Sequence, residues 1–116
     1  MPEITLILPW PPSINHYYMR RGNRTFIGAK GKKYRDDVIS LCKSYANWFS
    51  ADKRLCMTIE CFPPDRRKRD LDNLGKCILD SLQHAKIFAD DNQIDDLRFI
   101  RMPDLYGKVL VHIKCI

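Results

Sequence analysis

The chain has 116 residues, enough for one domain with a single core between a sheet and two or three helices. Lysine and arginine number 20 against 14 acids, a net charge of +6, and twelve of those acids are aspartate. Hydrophobic residues make up 45%, which excludes a disordered chain, and no apolar stretch reaches the length of a membrane span. A basic chain that clusters aspartates predicts a polyanionic partner with a cation held nearby.

The cysteines and the N-terminal sequence indicate a compartment. The five cysteines form no CxxC pair and lie mostly in apolar, periodic segments. They are Cys42, Cys56, Cys61, Cys77 and Cys115. Free cysteine is among the most buried residue types, so we expect reduced, buried thiols. Because the N-terminal sequence MPEITLILPW carries an acid where a secretory signal is basic, we predict a cytoplasmic protein.

The first predicted elements are a short strand and a loop. Ile4, Leu6 and Leu8 alternate with other residues along 3–8, which predicts a strand that the following prolines end. Residues 13–28 mix aromatic, basic and glycine residues without a helical period. That composition predicts a long exposed loop.

A helix and a second strand follow. Apolar residues recur at alternating spacings of four and three between residues 29 and 49, which predicts an amphipathic helix. These apolar positions are Tyr34, Val38, Leu41, Tyr45 and Trp48. Residues 55–62 return to a period of two and predict a strand that two prolines end. The inward positions of this strand are Leu55, Met57, Ile59 and Cys61.

The second half of the chain predicts a helix and two strands. The helix runs from about residue 71 to residue 86. Its buried stripe consists of Leu71, Leu74, Ile78, Leu82 and Ala85, and its opposite face carries Asp72, Lys76, Asp80 and Gln83. Strands are predicted at about 97–102 and 108–114. The PDLYG sequence at 103–107 predicts a hairpin turn between them.

These elements define the expected fold class. The order β-α-β-α-β-β predicts an α+β fold with one small mixed sheet of about four strands and two main helices packed on it. We expect residues 1–116 to form a single domain.

The densest charged sequence is DRRKRDLDN at residues 65–73. Four basic residues, Arg66 to Arg69, run directly into Asp70 and Asp72. A solvated basic turn explains the basic residues alone, but not their position beside two carboxylates, which repel unless a cation or an arginine neutralises them. Mg²⁺ is bound by one or two carboxylates together with waters and substrate phosphates. The sequence therefore predicts a metal site flanked by basic side chains that hold nucleic-acid phosphates.

Lys76 lies one helical turn after Asp72 on the same predicted face. One interpretation is an i, i+4 salt bridge that contributes about 0.3 kcal/mol. The other is an ammonium group that orients the attacking water or stabilises charge in the transition state. The spacing does not choose between them.

A third acid for this site must come from another segment. The candidates are Asp90, Asp91, Asp95 and Asp96. Asp90 and Asp91 lie in the loop that returns from the second helix and are the natural source, whereas the other two directly precede a strand. The spacing alone does not choose among the four.

The segment 20–35 carries seven basic residues and no acid. His16, Tyr17, Tyr18 and Phe26 lie among or just before them. Basic residues with interleaved aromatic rings are typical of a surface that follows a nucleic-acid backbone and stacks on bases. The alternative is a solvated loop whose tyrosines fold back onto the core.

Three of these segments together resemble the RusA family of Holliday junction resolvases. They are PWPPSIN at 9–15, DRRKRDLDN at 65–73 and FADDNQ at 88–93, in the family's order and spacing. The resemblance implies a small homodimeric endonuclease that requires Mg²⁺, with Mn²⁺ as an alternative, and resolves four-way DNA junctions by paired nicks with 5′-phosphate products. It implies Asp70, Asp72 and Asp91 as catalytic metal ligands and Lys76 as the catalytic lysine.

The resemblance and the charge pattern together give a set of expected DNA-binding residues. The set is Asn15, Tyr17, Arg20, Arg21, Arg24, Lys30, Lys32, Lys33, Arg66, Arg67, Lys68 and Arg69. A two-fold homodimer suits a junction of approximate two-fold symmetry. The expected location is the bacterial cytoplasm, with the chromosome, a prophage or a phage as the source of the gene.

Two other functions fit parts of the same sequence. A nuclease acting on other branched DNA would keep the site and change the substrate. A non-catalytic DNA-binding protein would use the same basic surface, with the aspartates as caps and salt-bridge partners.

Overall fold

The computed structural model describes residues 3–116, apart from the side chain of Asn15. In chain order the elements are β1 (Glu3–Pro9), α1 (Ile14–Tyr17), β2 (Tyr18–Arg21), β3 (Arg24–Ile27), α2 (Ala29–Leu41), β4 (Leu55–Phe62), α3 (Asp72–His84), β5 (Ile94–Arg101) and β6 (Lys108–Cys115). Short 3₁₀ turns lie at Lys43–Tyr45 and Asp91–Gln93. The predicted α+β class, with two main helices and a mixed four-stranded sheet, is confirmed.

The sheet has the strand order β1-β6-β4-β5. Strand β6 is antiparallel to both of its neighbours, whereas β4 and β5 are parallel and are joined by α3. Alternate residues of β1, β4 and β6 are buried against α2 and α3, as their period of two predicts. The core therefore lies between one face of the sheet and the two helices.

Helix α2 is shorter than its apolar period predicts. The helix ends at Leu41 and a 3₁₀ turn follows, so the helical phase is lost beyond this point. Leu41, the last residue of the helix, and Trp48, which lies beyond it, are 56% and 40% exposed, and Cys42 and Phe49 are buried instead. The predicted inward positions of Leu41 and Trp48 are therefore wrong.

The segment predicted as a long loop at 13–28 is ordered. It forms the short helix α1 and a two-stranded antiparallel hairpin, β2–β3, that pairs Tyr18 with Ile27 and Arg21 with Arg24. Gly22 begins the two-residue turn with φ of 63°, a value that glycine adopts without steric cost. The Arg-Gly-Asn-Arg sequence at this turn is the signal that the loop prediction overlooked.

Strands β5 and β6 do not form the predicted hairpin, because β4 lies between them. The connection at 102–107 crosses the end of β4 and is held there by two backbone hydrogen bonds. Met102 N donates to Cys61 O at 2.9 Å, and Gly107 N donates to Pro63 O at 3.3 Å. The PDLYG sequence does connect the two strands, but both strands pair with β4 and not with each other.

All five cysteines are free, as expected, and Cys42, Cys61 and Cys77 are buried. Burial raises the pKa of the Cys42 and Cys61 thiols to about 11. Within residues 3–116, no helix is long and apolar enough to cross a membrane.

A buried polar cluster ties α1 and α2 to α3. Tyr17 is fully buried and its hydroxyl donates to Asp80 Oδ2, which also accepts from Arg35 Nη2 at 2.7 Å. Burial would raise the pKa of Asp80, but the hydrogen bonds from Tyr17 and Arg35 lower it overall. Asp80 lies one turn after Lys76, so this cluster fixes the helix that carries the predicted catalytic residues.

The burial of Tyr17 contradicts its predicted contact with DNA. Its exposure is 0%, and its hydroxyl is bonded inside the protein. Tyr17 therefore packs on the core, which was the alternative to a base-stacking role for the N-terminal aromatic residues.

Helix α3 packs closely against Phe99 of strand β5 at Gly75. A Cβ atom at this position would lie 2.9 Å from Cζ of Phe99 and 3.5 Å from its Cε2. A side chain at this position would therefore require the Phe99 ring or the helix to shift.

We expect Gly75→Ala to lower the free energy of unfolding by about 1–2 kcal/mol, because the clash with Phe99 outweighs the helix propensity of alanine. Urea denaturation would measure this change. The double variant with Phe99→Leu should recover part of the loss, and a single variant as stable as wild type would contradict the packing described.

The Asp80 cluster predicts a pH-dependent stability. Because the pKa of Asp80 is lower in the folded state, its stabilisation is present above its unfolded pKa of about 4 and is lost as the pH falls through the folded value. We expect Asp80→Asn to cost about 1–3 kcal/mol at pH 7 and less at pH 3, measured by urea denaturation.

Asp37→Asn provides the control for this experiment, because Asp37 pairs with Lys33 on the exposed surface of α2. Its effect should stay within about 0.5 kcal/mol at both pH values. An equal loss at pH 7 and pH 3 for Asp80→Asn would show that the charge of Asp80 does not stabilise the fold.

Candidate active site

Two of the three motif segments meet in a groove at the start of α3. One part of this groove, with a volume of ~340 Å³, is lined by Trp10, Pro11, Ser13, Lys68, Arg69, Asp70, Asn73 and Leu74. An adjoining part of ~480 Å³ shares five of these residues and adds His16, Lys30, Pro64 and Arg67. The N-terminal Pro-Trp-Pro-Pro segment and the basic run therefore face each other across one surface, which we call the basic groove.

Asp65 organises the basic run. Its carboxylate accepts from Arg69 Nη1 at 2.8 Å and from Arg67 Nη2 at 3.1 Å, and these arginines lower its pKa well below the usual range. Arg66 and Lys68 form no ion pair among the residues that the structure describes. The run thus consists of two arginines that shape the loop and two basic side chains that remain available to a ligand.

Arg69 is held on several sides. Its guanidinium carbon lies 5.7 Å from the ring centroid of Trp10, its Nη1 donates to Asp65 O at 3.2 Å, and its side chain is only 19% exposed. Arg101 at the end of β5 donates to Arg69 O at 2.7 Å. These contacts fix the backbone directly before Asp70.

The side chains of Asp70, Asp72 and Lys76 are exposed at the start of α3. Asp70 does not cap the helix with its carboxylate; its backbone oxygen accepts from Asn73 N at 3.2 Å instead. The Asp72–Lys76 ion pair that the spacing allowed is absent from the ion pairs of residues 3–116. All three charged groups therefore remain free for a ligand at the N-terminal end of the helix, where the helix dipole favours negative charge.

Three of the four candidates for the third acid are already engaged. Asp90 accepts from Asn92 N at 3.0 Å as a cap, Asp95 pairs with Arg54 at 2.5 Å and Asp96 pairs with Arg98 at 3.4 Å. The carboxylate of Asp91 has no hydrogen bond or ion pair with any described residue. Of the four, Asp91 has the only carboxylate without a partner in the described chain.

Gln93 fixes the loop that presents Asp91. It is 2% exposed, and its Oε1 accepts from the backbone N–H groups of Ala89 and Asp90 at 2.8 and 3.0 Å. Its Nε2 donates to the backbone oxygens of Ser50 and Lys53, each at 3.0 Å. The amide of Gln93 thus ties the loop to the segment before β4.

Asp91 lies at the opposite end of α3 from Asp70 and Asp72. Its backbone N–H donates to Oε1 of Gln83 at 3.1 Å, and Gln83 is eleven residues after Asp72 on the same helix. At 1.5 Å per residue, that separation is about 16 Å along the helix axis. Residues 3–116 accordingly contain no group of three acidic, histidine or cysteine side chains placed to hold one metal ion.

The donor set at the start of α3 nevertheless suits Mg²⁺. Asp70 and Asp72 offer two unpaired carboxylates, which is the number of protein ligands that Mg²⁺ commonly takes before phosphate and water complete its shell. The free Lys76, Arg66 and Lys68 side chains lie on the same or neighbouring segments and suit phosphate oxygens. The arrangement can bind a phosphodiester and a divalent cation together.

The other predicted DNA-binding residues have mixed positions. Arg20, Arg21, Arg24, Lys30, Lys32 and Lys33 are exposed on β2, β3 and the start of α2. Lys33 forms an ion pair with Asp37 at 2.8 Å, whereas Lys30 lines the basic groove. The side chain of Asn15 lies outside the described part of the structure.

Sequence reasoning missed several residues that shape the site. Trp10 lines the groove, Asp65 and Arg101 fix its basic run, and Gln93 fixes the loop of Asp91. Asp65 and Gln93 could have been found, because each belongs to a motif segment and lies at a short spacing from the groups that it binds. Arg101 had no such signal, since it reaches Arg69 from a strand that lies 32 residues further along the chain.

Comparison with known proteins assigns the family. The family model described as Endodeoxyribonuclease RusA matches residues 9–114. Proteins named Crossover junction endodeoxyribonuclease RusA from Shigella sonnei and Escherichia coli K12 are 43% and 42% identical, each over 92% of this chain and 89% of the relative. The protein of the same name from Enterobacteria phage HK97 is 45% identical over 87% of this chain and 84% of its own length. This chain belongs to the RusA family of endodeoxyribonucleases.

Proposed function

We propose that this protein is a structure-selective DNA endonuclease that resolves four-way junctions by paired phosphodiester hydrolysis in DNA recombination and repair. Family membership supports the class of reaction. The observation that carries the proposal is the selective freedom of Asp70, Asp72, Lys76 and Asp91. The neighbouring charged residues Asp65, Asp90 and Asp95 are each bound within the fold, and these four are not.

We propose that Asp70, Asp72 and Asp91 are the ligands of Mg²⁺, with Mn²⁺ as the alternative ion. When bound, such an ion activates water and stabilises the leaving oxygen, which yields a 5′-phosphate and a 3′-hydroxyl. The two carboxylates at the start of α3 would hold this ion against the scissile phosphate. Lys76 places its ammonium group one turn along the same face, where it stabilises negative charge that develops on phosphate.

The basic groove binds the DNA backbone beside this site. Arg66 and Lys68 have free side chains, and Lys30 lies on the opposite wall. Arg20, Arg21, Arg24 and Lys32 extend the positive surface along the hairpin and α2, whereas Arg67, Arg69 and Lys33 act from within their ion pairs. Because branched DNA is the substrate, we place the protein in the cytoplasm of a bacterial cell, and relatives from phages make a phage or prophage source equally consistent.

A second protomer completes the site in this proposal. Asp91 lies too far along α3 to reach the metal ligands of its own chain, but a two-fold axis across the helix places the end of one α3 beside the start of the other. The two ends carry opposite charge, since the start of α3 follows four basic residues and its far end leads to Asp90 and Asp91. This complementarity favours an antiparallel pairing in a homodimer.

We expect Asp72→Asn to reduce the rate of nicking at least about 100-fold, because the carboxylate acts on the reaction. The affinity for junctions in chelator should stay within about twofold of wild type, because the substitution removes no positive charge that binds phosphate. Cleavage and binding are measured separately on four-way, three-way, flap and linear duplexes, with Mg²⁺ and with chelator. Asp104→Asn, an exposed substitution in the 103–107 connection, should leave both unchanged.

The same panel separates the alternatives. Cleavage of three-way or flap DNA in preference to four-way junctions would assign the substrate to other branched DNA. Binding without cleavage of any substrate by the wild-type protein would show a non-catalytic DNA-binding protein.

The shared site predicts complementation between inactive variants. In a mixture of Asp72→Asn and Asp91→Asn, each heterodimer has one site with two defects and one intact site. Because about half of the randomly formed dimers are heterodimers, nicking should return to about one quarter of wild type. A mixture of Asp70→Asn and Asp72→Asn is the matched control and should stay inactive, because every site keeps a defect. Failure of the first mixture, with heterodimers demonstrated by mass spectrometry, would place all three aspartates of each site on one chain.

A further inference from the structure

The β2–β3 hairpin projects from the body of the protein beside the basic groove. Its two strands pair with each other and not with the main sheet, and their closest association outside the hairpin is with α1. Four residues per strand give it a reach of about 13 Å. Isolated two-stranded hairpins of this kind are only marginally stable in water, so the packing at its base matters.

One face of the hairpin combines an apolar pair with a cationic pair. Met19 lies directly opposite Phe26, and Arg21 lies directly opposite Arg24 near the turn. Because strand residues two apart share a face, all four side chains point to the same side. Met19 and Phe26 are 42% and 44% exposed, and both arginines are exposed.

Gly28 allows the apolar pair to settle at the base of the hairpin. A Cβ at this position would lie 2.5 Å from Cγ of Met19 and 3.1 Å from the backbone oxygen of His16. Gly28 N donates to Tyr17 O at 2.9 Å, which closes the base against the buried Tyr17. The hairpin is therefore anchored to the same tyrosine that binds Asp80 on the catalytic helix.

The hairpin leaves and re-enters the fold at the wall of the basic groove. His16 precedes it by two residues, Lys30 follows it by three, and both line the groove together with Lys68. DNA whose backbone follows the groove thus passes the foot of the hairpin. The exposed face with Met19, Phe26 and the two arginines therefore lies near this path of the DNA.

We propose that Met19 and Phe26 form an apolar wedge that enters the base stack at the branch point of DNA, while Arg21 and Arg24 hold the phosphates on either side. The inference rests on the proposed function, because it takes branched DNA as the ligand. Met19 packs on Gly28, but Met19 and Phe26 still expose 42% and 44% of their surface. Base faces are apolar surfaces that a polyanion brings to a basic site. Unstacking costs least where stacking is already interrupted, so a wedge favours a branch point over linear duplex.

The preference for junctions over linear duplex and the electrostatic attraction to phosphates should respond to different substitutions. Apolar contact with unstacked bases changes little with salt, whereas each phosphate neutralised adds about one unit to the slope of log affinity against log salt concentration. The apolar pair should therefore determine the preference for junctions, and the arginines the salt dependence.

The test uses four-way junctions with 2-aminopurine at the crossover and matched linear duplexes, in chelator so that binding is read without cleavage. Wild type should increase the fluorescence of the junction. The double variant Met19→Ala/Phe26→Ala should lose most of this increase and bind the junction about 10-fold more weakly, while its affinity for duplex changes less than about twofold. Phe26→Leu, which keeps an apolar side chain, should retain most of the fluorescence increase.

Two controls distinguish the wedge from general effects. Ile7→Ala removes an apolar side chain that is 63% exposed on β1 and should change neither fluorescence nor affinity. Arg21→Ala/Arg24→Ala should weaken junction and duplex binding together and reduce the salt slope by about two. Circular dichroism and urea denaturation of each variant establish that the fold is intact.

Each outcome decides between the proposals. No fluorescence increase with wild type, an unchanged increase with the Met19→Ala/Phe26→Ala variant, or equal losses for junction and duplex would each overturn the wedge. A wild-type increase that the apolar variant loses supports it. The same result combined with no cleavage of any branched DNA in Mg²⁺ would instead overturn the proposed endonuclease while leaving the wedge in place.

Discussion

The parallel pairing of β4 with β5 is the constraint on which the rest of the structure depends. Parallel neighbours require a connection that returns to the same end of the sheet, and α3 provides it along the full length of the strands. Its start and its end are consequently fixed at opposite ends of the sheet. The basic groove forms at one end and the loop of Asp91 at the other, so the packing that stabilises the core also separates the proposed metal ligands Asp70 and Asp72 from Asp91.

The charges of the chain divide into those that shape the fold and those that remain for a ligand. Asp65, Asp80, Asp90 and Asp95 are bound by arginines, a tyrosine or backbone N–H groups, and each of them fixes a segment next to the site. Within the segments 65–73 and 88–93, the proposed metal ligands Asp70, Asp72 and Asp91 have carboxylates without an ion pair among the described residues. Net charge therefore says little about this molecule until each carboxylate has been assigned to one of these two groups.

The accuracy of the sequence predictions follows from how local each signal is. The burial of β1, β4 and β6 and the stripe of α3 depended on periodicity within one element, and their core positions are confirmed except for Leu71, which precedes α3 and is only half-buried. The place of β5 beside β4 depended on which strands pair, and no local pattern in residues 94–101 carries that information. The resemblance to the RusA family identified the free acid at position 91, but it did not reveal that the fold separates Asp91 from the other two.

The two-residue turn at Gly22 and Asn23 has a consequence for how this scaffold can change. Hairpins of this kind tolerate a change in length at the tip, because only the pairing of the strands next to the turn must be kept. If two residues are added to each strand, every side chain stays on the same face of the hairpin. The tip then extends by about 7 Å, which is close to two base-pair steps of B-form DNA. A longer hairpin would thus extend further from the body of the protein while the residues around α3 stay the same.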